Sequence, residues 1–469
     1  MTPRRVFTPH PYQDMMIDHM IEHKRGALWA FMGAGKTVSV ATAAELIANV
    51  DDSPWLVVGP KRVAENTWSR EVLKWEHLRS VNVSPIIGTQ AERLRAIRTP
   101  ALLYTTNYEQ LPWLVEHWGD RWPYRNVVLD ESTKVKSYRL KGGGERATAL
   151  ARVAHRHVDR LYELTGTPSP NGLKDLWGQI WFLDKGERLG RTYEAFKQRW
   201  FQRNFDGYGI DPLPFAQKEI QERLRDLCLT VAAEDFFDVQ EPIVRNRVVQ
   251  LPARARRLYT AMEKEFFAEL EGGERIEAFS SSARSQKLLQ LANGAVYLEP
   301  GSPEWRGVHD LKLEALDEII EEAGGEPVLV AYNFKSDLAR LKEAYPKAIE
   351  VGTAQGLRDA QAGKGTVWLG HPASMGHGVD GLQDHCRILA FFGHNWNLEH
   401  RLQILERIGP VRQLQSGYNR AVFVYNIVAE DTIDEIVLER IDTKREVQDL
   451  LLDAMKRGKS GGYLERVGE

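Results

Sequence analysis

The stretch Gly26-Ala27-Leu28-Trp29-Ala30-Phe31-Met32-Gly33-Ala34-Gly35-Lys36-Thr37 sets the reading of the whole chain. Gly26–Ala30 is a short apolar run of strand character, and the amphipathic pattern of Val38–Ala48 follows the glycines as a helix. A strand, a Gly-rich turn and a helix in that order form a phosphate-binding loop. Glycines let backbone N–H groups turn toward an anion, and the helix N-terminus adds partial positive charge. Gly33, Ala34 and Gly35 would cradle the phosphates, Lys36 would reach the β- and γ-phosphates, and the Thr37 hydroxyl would bind Mg²⁺. Ala30 stands where the full pattern places its first glycine.

Outward from this loop, Trp55–Val58, Ala101–Thr105, Val127–Leu129 and Leu161–Leu164 read as further buried strands, with helical patterns such as Val63–Trp75 between them. Such alternation predicts a doubly wound, mostly parallel α/β sheet. Val328–Tyr332, Thr366–Leu369, Ile388–Phe392 and Val422–Ile427 repeat the scheme. Between the two lies a segment, 173–305, rich in Arg, Glu, Gln and aromatics. In it Leu258, Met262, Phe266 and Leu270 recur at helical spacing after Pro252, and Gly272-Gly273 and Ser280–Ser282 break the pattern. A final helical pattern runs through Ile433, Ile436, Val437 and Ile441. The predicted plan is a first domain over 1–172, a mainly helical linking segment over 173–305, a second domain over 306–430, and a C-terminal helix and tail over 431–469.

The 469 residues carry 43% hydrophobic and 27% charged side chains and a net charge of −3, ordinary for a globular protein. Global charge therefore does not advertise a nucleic-acid binder, although a local basic stripe suffices for one. No apolar run approaches the ~20 residues that span a bilayer, and the start lacks a secretory pattern. Cys228 and Cys386 lack metal-ligand spacing and read as packed thiols of a reducing cytosol. The expected location is the cytoplasm, the host's if a bacteriophage encodes the chain. His371 and His377 flank a Gly-rich turn without a second ligand pair, which argues against a metal site there.

Asp130-Glu131 directly follows a strand, at the edge where ligands bind in α/β sheets. Asp130 would hold Mg²⁺ and Glu131 would polarise an attacking water. Upstream, the Gln13 amide offers both donor and acceptor to an adenine edge, and Tyr12 or Phe7 could stack on its ring.

Taken in order, these segments resemble the motifs of superfamily-two helicases, and within them the Swi/Snf-like group. Pro11-Tyr12-Gln13 resembles the Q motif, Met32–Thr37 motif I, and Pro60-Lys61-Arg62 motif Ia. Thr105-Thr106-Asn107-Tyr108 is similar to motif Ib and Asp130-Glu131-Ser132-Thr133 to motif II. Leu164-Thr165-Gly166-Thr167-Pro168-Ser169-Pro170-Asn171, followed by Leu176-Trp177, resembles motif III and is the most diagnostic stretch. Val328–Phe334 looks like motif IV, His371–Gln383 like motif V, Gln403–Gln413 stands at motif VI, and Thr432-Ile433-Asp434-Glu435 resembles the stretch closing such cores. Motifs III, V and VI are closest in flavour to bacteriophage-encoded members.

The resemblance implies two tandem RecA-like doubly wound domains with a helical insertion between them and a C-terminal helix. It implies an ATP- and Mg²⁺-dependent DNA translocase or helicase, with ATP held between the domains. The first domain would supply Tyr12, Gln13, the loop 33–37, Asp130 and Glu131; Gly376 and Gly378 of the second would also touch nucleotide. DNA-backbone contacts fall to Lys61, Arg62, Thr105, Asn107 and Lys134 on one side and Asn333, Lys335 and Ser374 on the other, with neighbouring Lys136, Arg139 and Lys141 in support. Such contacts read little sequence, which leaves targeting to a protein partner. Two departures stand out. Motif II reads Asp-Glu-Ser-Thr, so no histidine links hydrolysis to motif III, and Ser132 or Thr133 is the expected substitute. Motif VI keeps Arg407 as the principal arginine finger but has Pro410 at the second arginine's place, a role open to Arg412, with Arg401 a third candidate. The competing readings are an RNA-dependent helicase of the same superfamily and an ATP-gated DNA clamp that does not translocate.

Overall fold

The computed structural model describes residues 3–203, 210–270, 283–298, 304–375 and 379–456. Of these, residues up to 236, with the stretch 446–456, form one compact unit and those from 237 to 445 the other.

The first unit is built on a seven-stranded parallel sheet. Its strands are β1 (Arg25–Ala30), β2 (Trp55–Gly59), β3 (Val83–Pro85), β4 (Leu103–Asn107), β5 (Asn126–Asp130), β6 (Arg160–Thr165) and β9 (Cys228–Val231), in the order β3-β4-β2-β5-β6-β1-β9. A small antiparallel hairpin, β7 (Phe201–Arg203) and β8 (Ile210–Pro212), stands apart. The central strands are buried almost throughout, as an apolar run covered by helices on both faces requires. Helix α1 (Pro11–Glu22) precedes β1, α2 (Lys36–Ala48) follows the phosphate loop, and α3 (Trp68–Lys74) follows β2 through a π-helical turn at Val63–Thr67. Helix α4 (Leu176–Asp184) is buried from Leu176 to Leu183, its rings packed on Tyr138.

The second unit carries a six-stranded parallel sheet ordered β10-β17-β16-β13-β15-β14. The strands are β10 (Ile243–Val249), β13 (Val328–Ala331), β14 (Ile349–Glu350), β15 (Val367–Gly370), β16 (Ile388–Phe391) and β17 (Phe423–Ala429), with β11 (Ala295–Tyr297) and β12 (Trp305–Gly307) as a separate pair. Helix α5 (Ala253–Leu270) follows β10, and α6 (Leu398–Leu405), α7 (Pro410–Gln415) and the start of α8 (Ile433–Lys456) complete the set used below. The Thr432–Glu435 stretch has a structural basis: fully buried Asp434 pairs with fully buried Lys312 at 2.6 Å, and Lys312 also donates to Asn293 Oδ1 at 2.9 Å.

Both sheets match the predicted RecA-like plan. The segment between them differs in detail, because it does not stand apart as a helical insertion. Residues 173–236 belong to the first unit and add β9 alongside β1, while the rest belongs to the second and adds β10 alongside β17. On α5 Ala255 and Tyr259 are buried, Met262 is half-buried against the same core and Leu258 is 43% exposed, while the side chains of Phe266 and Leu270 lie outside the described residues. Gly272-Gly273 and Ser280–Ser282 lie outside the described residues. Among the described residues no helix is long and apolar enough to cross a membrane.

Candidate active site

Strands β5, β6 and β1 lie side by side, so the turns after their carboxyl ends converge at one edge of the first sheet. The phosphate loop leaves β1 there. Gly33 and Gly35 take φ of 89° and 76°, conformations that a side chain disfavours. The Lys36 ammonium folds back to donate to Ala30 O at 2.7 Å and Phe31 O at 3.1 Å, carbonyls it would leave for a phosphate. Gln13 braces the loop: its Oε1 accepts from the His10 N–H at 2.9 Å and its Nε2 donates to Ala34 O at 3.2 Å. A Cβ at Gly35 would meet that Nε2 at 2.2 Å. Expected as an adenine reader, Gln13 is held first by the loop itself. Tyr12 is enclosed by aromatic neighbours. Its ring is 2% exposed, stacked on His10 and edge-on to Phe31 and Phe236, so it offers no free face to a base. Phe7 stacks on His77.

The acidic pair ends β5. Half-buried Asp130 accepts from the Trp68 indole N–H at 3.1 Å. Burial, then the charge of Glu131, pushes its pKa up to about 6, with Lys36 and Trp68 acting in the other direction. Glu131 itself has φ 65° and ψ 65°, a left-handed backbone that a non-glycine residue holds only when its surroundings enforce it. They do so here from several sides. Its N–H donates to Leu164 O at 2.9 Å, and the Tyr108 hydroxyl lies 3.1 Å from the carbonyls of both Asp130 and Glu131. On the side chain, Oε1 accepts from Thr133 Oγ1 at 2.9 Å and Thr165 Oγ1 at 2.8 Å. Hydroxyls from motifs II and III thus grip one carboxylate oxygen where the related pattern has a histidine. The Thr37 hydroxyl has no protein partner among the described residues, so Thr37 and Asp130 present the oxygen donors that suit Mg²⁺.

The loop after β6 is tied to the same place. The Thr167 N–H donates to Thr165 Oγ1 at 3.0 Å, and a Cβ at Gly166 would lie 3.3 Å from Met32 Cγ. Ser132 Oγ donates to Gln179 Oε1 at 2.8 Å, and Gln179 Nε2 donates to Pro168 O at 2.8 Å. Lys136, expected near DNA, pairs with Asp175 at 3.0 Å, and Asp175 also accepts from Asn171 N–H and Nδ2. Arg139 stacks over Tyr193 at 3.4 Å.

Of the residues assigned to a nucleic acid, Lys61 is exposed and Arg62 half-buried; burial and then the charge of Arg70 lower the pKa of Arg62. Among the described residues neither Lys61 nor Arg62 meets a carboxylate. Thr105 and Asn107 are buried in β4, Thr105 donating to Ala64 O at 2.5 Å and Asn107 to Glu109 Oε2 at 2.6 Å. A run ending a central strand is covered whichever polar side chains it carries. Lys134 is half-buried. In the second unit Lys335 and Ser374 are exposed, and Ser374 Oγ donates to His371 O. Asn333 is held by Asn395 Nδ2 at 2.8 Å. Gly376, His377 and Gly378 lie outside the described residues.

The arginines of motif VI separate by burial. Arg407 is 8% exposed and donates to Gln403 O at 3.1 Å and Val379 O at 2.8 Å, which fastens the end of α6 to its own unit. In this position its guanidinium is committed to backbone carbonyls of its own unit. Arg412, in the first turn of α7, keeps more surface and among the described residues pairs with the exposed Asp380, at 3.5 Å. Arg401 lies over the Phe391 ring at 3.8 Å and donates to Asn426 Oδ1. Sequence reading placed Tyr108 in a motif but assigned it no role beside the acidic pair, and it missed Gln179 altogether.

Two parallel sheets in tandem, the first with a phosphate loop and a strand-end acidic pair, define the core of a superfamily-two ATPase. The SNF2-related domain matches residues 12–293, and the chain belongs to the SNF2-related family. It is 50% identical over 461 residues to protein p41 of Acyrthosiphon pisum secondary endosymbiont phage 1, covering 97% of this chain and 100% of that one. It is 22% identical over 501 residues to the ISWI chromatin-remodeling complex ATPase ISW1 of Saccharomyces cerevisiae, across 94% of this chain and 40% of ISW1. Among solved structures, the Sulfolobus solfataricus SWI2/SNF2 ATPase core in complex with dsDNA aligns over 100% of this chain and 98% of its own, at 19% identity and a TM-score of 0.43.

Proposed function

We propose that this chain hydrolyses ATP to ADP and phosphate and uses the cycle to move along duplex DNA. The carrying observation is the posture of Glu131: strained backbone, one carboxylate oxygen fixed by two hydroxyls, beside Asp130 and the lysine of the phosphate loop. A carboxylate so oriented suits a base that positions an attacking water. The loop N–H groups and Lys36 would hold the phosphates, and Thr37 and Asp130 would hold Mg²⁺. Bound there, the ion would offset charge on the phosphates. Arg412 is the arginine we assign to stabilising the transferring phosphoryl group.

DNA as activator is supported by family membership and by the kind of relative the chain matches, a chromatin-remodelling ATPase. Lys61, Arg62, Lys134, Lys335 and Ser374 are the backbone contacts we retain. Contacts of that kind make affinity fall with salt and vary little with base sequence, so a protein partner would direct the motor to its place. The relative in a phage fits a site of action in the host cytoplasm. The test is ATP turnover alone and with single-stranded DNA, duplex DNA and RNA. Duplex DNA should stimulate most; stimulation by RNA alone would overturn the DNA reading, and DNA-stimulated turnover without movement on a triplex-displacement substrate would reduce it to a clamp.

A further inference from the structure

Gln179 lies outside every segment that sequence reading tied to nucleotide, in the first turn of α4 and 1% exposed. Its amide is engaged at both ends. Oε1 accepts from Ser132 Oγ at 2.8 Å, while Nε2 donates to Pro168 O at 2.8 Å and to Asp175 O at 2.9 Å, which uses both amide hydrogens. Its neighbour Gly178 explains how α4 comes so close. A Cβ there would stand 2.2 Å from Lys136 O, so only glycine lets the helix lie against the turn after the acidic pair.

These bonds close a ring. Glu131 leads covalently to Ser132, Ser132 to Gln179, and Gln179 to Pro168. Pro168 follows Thr167, whose N–H reaches Thr165 Oγ1, and that hydroxyl returns to Glu131 Oε1. Every side chain in the ring is buried, so each bond is shielded from competing water. We infer that Gln179 is a positioning residue that closes this ring, so that the carboxylate of Glu131 and the loop 165–170 hold one geometry together. The inference rests on the reading of Glu131 as the base. It goes beyond that reading by naming a residue on a following helix as the part that fixes where the base points. Helix packing alone does not call for a glutamine, since a leucine fills similar volume without any of the three bonds.

The experiment compares the full chain with Ser132→Ala, Gln179→Leu and the double variant, reading kcat and KM for ATP together with backbone hydrogen exchange. Each single change should lower kcat about tenfold, the effect of roughly one lost hydrogen bond, and leave KM within about twofold. Amides in 131–136 and 165–172 should exchange faster, with those of α2 and β2 unchanged. The double variant should be no worse than the more impaired single, because the bond that Ser132→Ala removes is already lost in Gln179→Leu. Ser132→Ala carries the test if Gln179→Leu does not fold. Unchanged exchange in both segments, or a lower Tm with kcat intact, would overturn the inference. A wild-type chain without ATP turnover would instead sink the proposed function, and the exchange data would still decide whether the ring exists.

Discussion

Asp130 should make the folded protein less stable at neutral pH than its amide would. Its folded pKa, about 6 against an ordinary 3.8, means that the fold favours the protonated acid. Below pH ~4 the acid is protonated in both states and the effect vanishes. As pH rises the unfolded chain releases its proton first, and the penalty grows until the folded acid also ionises; above about 6 it is complete. A shift of this size corresponds to about 3 kcal/mol, trimmed to ~2 kcal/mol because water reaches the half-buried side chain. Asp130→Asn removes the charge and keeps an oxygen for the Trp68 indole. At pH 7.5, without Mg²⁺ or nucleotide, it should raise the stability of the first unit by that amount, or Tm by roughly 4–8 °C. The gain should shrink to nothing by pH ~4, and ATP turnover should be lost. Urea or thermal melts of wild type and variant from pH 4 to 8 decide it. A variant less stable than wild type at pH 7.5, or equally stabilised at both ends of the range, would refute the reasoning.

Thr165→Val keeps the shape but removes one of two hydroxyls on Glu131 Oε1, so kcat should fall about 10–100-fold, as expected for a hydrogen bond to a charged group, with ATP affinity retained; unchanged turnover would remove Thr165 from the site. Gly35→Ala puts a Cβ into the Gln13 amide at φ 76°, and titration with a fluorescent ATP analogue should show at least about tenfold weaker binding. Arg412→Ala should lower kcat without moving Tm, whereas Arg407→Ala should lower Tm through its lost backbone bonds; the reverse pattern, read by melting and turnover together, would restore Arg407 as the finger.

The parts of the fold that were legible are those where local and global requirements coincide. Trp55–Gly59 is apolar throughout because both faces of a parallel strand are covered, and Gly33 and Gly35 take conformations that few other residues adopt. The two added edge strands were not legible. β9 is only Cys228–Val231, and β10 interleaves arginines with its valines and is mostly exposed, so neither has a period that separates it from a helix. Side-chain placement was not legible where burial depends on distant partners. Tyr12, Thr105 and Asn107 are polar-tipped residues next to functional turns, yet the packing of Phe31, Phe236, Ala64 and Glu109 encloses them. Gln179 was invisible for the opposite reason: nothing in Leu176-Trp177-Gly178-Gln179 states that Ser132 and Pro168 will be there to meet it.

The exchange of a histidine for two threonines also changes what pH can do to this site. An imidazole linking the acidic pair to the 165–170 loop would titrate near 6.5 and loosen or tighten that link across the physiological range. The Thr133 and Thr165 hydroxyls stay neutral at any pH the fold survives, so the donors of the link do not titrate as an imidazole would. What remains on the acid side is Asp130, pushed up to about 6 by burial and by Glu131. The pH profile of kcat/KM should therefore fall on a single acidic limb near pH 6. On the proposed assignment of Asp130 to Mg²⁺, raising the ion's concentration should move that limb to lower pH. Thr133→His should add a second inflection close to 6.5. A wild-type profile that already bends there, or an acid limb indifferent to Mg²⁺, would mean that another group governs turnover and that Asp130 is not the metal's ligand.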